Sequence, residues 1–146
     1  MTIPHTQPGV WPSGIAPSRF AAGLDRDTPE GCRIALIGLP DDTGVRLNHG
    51  RPGAAEGPTA LRAALARYGV CEPSGWVWPR VFDAGDVVVE PGDLNETHRR
   101  VTESVHAIVE LGLFPIGIGG GHDLTFPFVR AVASKHQPMH GVYFDP

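Results

Sequence analysis

The chain has 146 residues, of which 41% are hydrophobic, and a formal net charge of -4. That is enough for one globular domain with a buried core, and the charge gives no footprint for nucleic acid or an anionic membrane. The longest apolar runs, "IALIGL" and "LFPIGIG", are too short to span a bilayer.

In chain order, residues 1–31 are rich in Pro, Gly, Ser and Thr and follow neither helical nor strand period. They read as an irregular, poorly ordered N-terminal arm, with Trp11 and Phe20 as anchors onto a neighbouring surface. The first twenty residues lack a basic start and an unbroken apolar segment, so no signal peptide is expected and the protein is assigned to the cytoplasm. Cys32 and Cys71 are isolated thiols rather than a disulfide framework or a zinc pattern, in keeping with a reducing compartment.

The main domain is expected over residues 32–146. "RIALIGLP" is a short apolar run closed by Pro40, the pattern of a strand buried on both faces. A glycine-rich loop follows, then a helix opened by Pro58 and closed by Gly69, with Leu61, Ala64, Leu65 and Tyr68 as its apolar stripe. "RVFDAGDVVV" predicts a second strand running into a turn. Next comes a helix with Asn95 as N-cap, Val101, Val105, Ile108 and Leu111 at helical spacing, and Gly112 as its stop. "LFPIGIG" predicts a third strand, "LTFPFVRAVASKH" a helix and "HGVYFD" a fourth strand. Strands alternating with helices make the fold class α/β, with a mainly parallel sheet covered on both faces.

Ligands in such sheets bind at the carboxyl ends of the strands. That rule selects Asp41 and Asp42, the "DAGDV" turn, the "GGGHD" turn and Asp145. Gly119, Gly120 and Gly121 clear side chains from a strand end, and His122 then delivers an imidazole there, which suits a metal ion. Asp145, one strand later, adds a carboxylate, and a mixed His–carboxylate set suits Mn2+ better than a thiol-seeking metal. A dinucleotide site remains the alternative, since "GIGGGH" carries the first two glycines of a G-x-G-x-x-G fingerprint and Asp145 stands near the place of its ribose-binding acid.

"GIGGGHD" followed one helix later by "GVYFD", together with "NHGRPGAAEGPTALRAAL" and "FDAGDV", resembles the ureohydrolase family of arginases, agmatinases and formiminoglutamases. The resemblance covers about residues 33–146. It implies a three-layer α/β/α fold and a binuclear manganese centre, with His122 ligating one ion and Asp145 bridging both. Hydroxide held between the metals would attack a guanidino or formimino carbon and break the C–N bond. Asp83 and Asp86 are expected to be structural, and Asn48 and Arg51 to serve ordinary loop hydrogen bonding, with a part in the pocket entrance or a subunit contact as the alternative.

Pro146 stands where the family has a small residue before its next histidine, and the later manganese carboxylates are absent. The expectation is therefore an N-terminal portion holding two of the family's metal positions, inactive alone, with no catalytic residue assigned. "DDTGVRLNHGRPGAAEGPTALR" is most similar to formiminoglutamases, implying N-formimino-L-glutamate as substrate; agmatinase- or arginase-type guanidino substrates stay open. The resemblance also implies a homo-oligomer for the complete protein. A reading of a different class is a non-catalytic fragment that docks through its unpaired sheet edge.

Overall fold

The computed structural model describes residues 3–70 and 77–144. Four strands form one sheet: β1 (Thr6–Gln7), β2 (Ile34–Gly38), β3 (Val81–Val87) and β4 (Phe114–Ile118), in the order β1-β3-β2-β4. β2 runs parallel to both β3 and β4, with Ile34 opposite Val81 on one side and Phe114 on the other, and β1 closes the β3 edge antiparallel. Among the described residues four α-helices accompany it: α1 (Thr43–Leu47), α2 (Gly57–Leu65), α3 (Leu94–Glu110) and α4 (Thr125–Ala133).

The strand period of two sorts the core into two layers. Ala35, Ile37, Phe82 and Ala84 face α3 and α4, meeting Val101, Val105, Ile108 and Ala131. Leu36, Val81 and Ile118 face the other way, onto Ala21, Leu24 and the partly buried Leu65 of α2. This is the expected α/β/α layering.

One irregularity in β3 positions two charges. Its register against β2 shifts between Leu36↔Asp83 and Gly38↔Asp86, and Gly85 there has φ +83°. A regular strand would put Asp83 and Asp86 on opposite faces. The extra residue of the bulge brings both to the α2 face and returns Val87 to the α3 face. The "DAGD" segment is thus part of the strand, not a turn after it.

Three local expectations are corrected. In α2 the fully buried residues are Pro58 and Arg62, with Leu65 partly buried as expected, while Leu61 and Tyr68 are exposed, because buried carboxylates on β3 draw the arginine in. In α3 the N-cap is Asp93, whose carboxylate accepts from the Glu96 N–H at 2.9 Å, rather than Asn95. Residues 140–144 form no strand: Val142, Tyr143 and Phe144 are exposed, and β4 is paired only on its β2 side among the described residues. A strand gains its ladder and its cover from neighbours, and here nothing among the described residues provides them.

The arm is fastened to the domain. β1 joins the sheet, Ile3 is buried, Ser104 donates its hydroxyl to Pro4 O, and Trp11 and Phe20 pack on the second core layer. Among the described residues no helix is long and apolar enough to cross a membrane.

Candidate functional site

The carboxyl ends of β2 and β4 lie side by side, and their loops build the site. After β2 the chain reaches Asp41 and Asp42, both buried. Asp41 Oδ1 accepts from the Thr43 N–H at 3.0 Å and its hydroxyl at 2.6 Å, which starts α1. Asp42 Oδ2 accepts from the Gly53 N–H at 2.7 Å, and its other oxygen pairs with Arg46. These two carboxylates fold the glycine-rich loop back onto the strand end. Asp41 Oδ2 is buried and has no hydrogen-bond partner among the described residues.

After β4 the three glycines lead into a 3-10 turn, His122–Leu124. A Cβ on Gly120 would collide with the backbone oxygens of Asp41 and Leu39, and the Gly121 N–H donates to Asp41 O at 2.7 Å. What approaches the bare backbone is therefore the neighbouring loop. The space beside Gly120 that the dinucleotide reading requires for a phosphate is filled by Asp41.

His122 is exposed, and its ring has no hydrogen-bond partner among the described residues. Its ring borders two open hollows. One, of about 340 Å³, is shared with Gly44, Val45, Asn48 and Gly50; the other, of about 510 Å³, with Phe126, Val129, Arg130 and Tyr143. Asn48 thus shares a cavity wall with His122, while Arg51 is exposed nearby in sequence. The adjacent Asp123 lines both hollows as well, and its carboxylate pairs with His98 of α3, Nε2 to Oδ2 at 2.8 Å.

An imidazole without a hydrogen-bond partner among the described residues, at a strand's carboxyl end and open to a cavity, fits a metal donor. Asp145 and Cys71 lie outside the described residues, so the expected His122–Asp145 pairing has no geometry here. Among the described residues no group of three or more His, Cys, Asp or Glu side chains could hold a metal ion.

A buried charge cluster ties α2 to β3. Arg62 is fully buried and donates to both oxygens of Asp83 (2.9 and 3.1 Å), to Asp86 Oδ1 (2.6 Å) and to Gly85 O (3.2 Å). Burial works to lower its pKa, but the hydrogen bonds and charges of Asp83, then Asp86, outweigh that and raise it. Trp11 adds an indole N–H to Asp83 Oδ2 at 2.5 Å. The sequence reading of Asp83 and Asp86 as structural agrees with this geometry, but it missed Arg62 and His98. Arg62 was visible only as the last residue of "GPTALR", and the 25-position separation of His98 and Asp123 leaves no local spacing to read.

Residues 32–146 match the Arginase family. The chain is 38% identical over 122 residues to a mitochondrial guanidino acid hydrolase of Homo sapiens, covering 81% of this chain and 34% of that protein. It is 43% identical over 94 residues to a formimidoylglutamase of Aeromonas salmonicida, covering 64% of this chain and 28% of that one. A formiminoglutamase of Trypanosoma cruzi solved with Mn2+ superposes with a TM-score of 0.69 at 32% identity, over 80% of this chain and 40% of that chain. The chain spans about a third of the length of these curated relatives.

Proposed function

The chain belongs to the arginase family, and from that premise we propose that it is the N-terminal portion of a manganese-dependent hydrolase of C–N bonds in linear amidines, with N-formimino-L-glutamate as the substrate. The observation that carries the reading is His122, an imidazole without a hydrogen-bond partner among the described residues, bordering two cavities at the carboxyl ends of the parallel strands. The formimidoylglutamase relatives and the manganese in the T. cruzi structure support the choice of reaction and metal.

His122 and Asp145 would hold the metal. When bound, manganese would supply the Lewis acidity that makes hydroxide available near neutral pH. The chain's own described residues build the frame: Asp41 and Asp42 fix the β2 loop, Gly120 lets that loop close against β4, and the Arg62–Asp83–Asp86 cluster ties α2 to β3. Two donors leave most of a metal's coordination to other groups, so these 146 residues alone are proposed to be inactive. The 38% identity to the human guanidino acid hydrolase favours a second reading, in which the substrate carries a guanidino group.

Titration of the full chain with Mn2+, followed by electron paramagnetic resonance of the free ion, tests the donor assignment. The wild-type chain should deplete the free-ion signal weakly, and His122→Ala should not. Equal depletion by both would remove His122 from the site.

A further inference from the structure

Asp123 follows His122 directly, yet its carboxylate is spent on a different element. Oδ2 accepts from His98 Nε2 at 2.8 Å, and the two side chains are only 18% and 25% exposed. The carboxylate also lies against Gly44 of α1, where a Cβ would collide with it, and against Gly121 in its own turn. Three segments therefore converge on one carboxylate: the first turns of α3, the start of α1 and the turn after β4. α3 is itself held to α4, because the Thr102 hydroxyl donates toward Pro127 O at 3.2 Å and accepts from Arg130 at 2.6 Å.

His122 has no such tether. Its ring makes no hydrogen bond to a described residue, so its direction is set by the backbone of the His122–Leu124 turn. That turn is short and opened by three glycines, which by themselves allow many conformations. Among the described residues, the charge-assisted bond that fixes it to a long helix is Asp123 to His98.

We propose that His98 is a positioning residue for His122: it grips Asp123, fixes the turn after β4, and so aims the His122 ring between the two cavities. The role resembles that of outer partners that orient metal-binding side chains, although it works through the neighbouring residue rather than through the ring. Its use in metal binding rests on the proposed reading of His122 as a manganese donor; the aiming of the ring does not.

The test uses the full chain with His98→Gln, which keeps an N–H for Asp123, and His98→Leu, which keeps bulk without the donor. Gly44→Ala serves as a second route, since it displaces the Asp123 carboxylate without touching His98. The first readout is metal-free: the ring 1H–13C resonances of His122, assigned by their loss in His122→Ala. They should stay in place in His98→Gln and shift or broaden in both His98→Leu and Gly44→Ala. Unchanged His122 signals in His98→Leu and Gly44→Ala would overturn the proposal. The second readout adds Mn2+ alone. In the wild type it should broaden His122 before the exposed His106 and His136, and His98→Leu should raise the Mn2+ needed by about ten- to a hundredfold. If Mn2+ shows no preference for His122 in the wild type, the manganese reading fails, while the metal-free signals still judge the positioning role.

Discussion

Replacing Arg62 by methionine should cost this fold a large part of its stability. The arginine is fully buried and donates four hydrogen bonds to Asp83, Asp86 and Gly85. The side chains of its partners are 2% and 9% exposed. Methionine fills much of the volume, so the loss is not mainly a cavity. It leaves two carboxylates on one face of a bulged strand with no cation between them. Removing one member of a buried ion pair costs about 3–5 kcal/mol, against a total of about 5–15 kcal/mol for an ordinary domain. With a urea slope of about 1.5–2 kcal/mol per molar, the unfolding midpoint should fall by about 2 M. Circular dichroism and tryptophan fluorescence should report the same midpoint. The triple variant Arg62→Met, Asp83→Asn, Asp86→Asn separates charge from contact, and it should recover most of the loss because no unpaired charge remains. A midpoint shift below about 0.5 M for Arg62→Met with an unchanged slope, or a triple variant no better than the single one, would refute the reasoning.

Gly120→Ala should destabilise the chain by about 1–3 kcal/mol in the same assay, since its Cβ meets the Asp41 and Leu39 backbone. Gly119→Ala, whose Cβ meets nothing, should change it by less than about 0.5 kcal/mol. Hydrogen bonds from Arg99, then Arg100, depress the Glu96 pKa from its ordinary 4.5 to about 2. A depressed carboxyl pKa contributes stability above the unfolded value that is lost as pH falls through the folded one. Thermal melts between pH 4.5 and 2 should therefore fall less steeply for Glu96→Gln than for wild type, and the difference should shrink in high salt.

The strands β2 and β4 were legible as short apolar runs, and the helices α3 and α4 as helical segments, because each is written in consecutive residues. α2 was misread because hydropathy ranks Leu61 above Arg62. The side chain that turns inward is chosen by two carboxylates more than twenty positions away, aligned only by the bulge at Gly85. The segment 140–144 has the composition of a strand but finds no neighbour to pair with among the described residues. At the candidate site, His122 was legible from glycines and an imidazole at a strand end. The glycines admit the Asp41 loop rather than an ion, and His98 joins the site only through the packing of α3 against the turn.

The central claim is that residues 32–146 form the N-terminal wall of a manganese amidine hydrolase with His122 as a metal donor. It is tested most directly by a chimera in which these residues replace the matching segment of the A. salmonicida formimidoylglutamase, assayed with Mn2+ for formamide release from N-formimino-L-glutamate. The folded chimera should release formamide, and His122→Ala within it should not. A folded but inactive chimera, or one that keeps full activity without His122, would contradict the account.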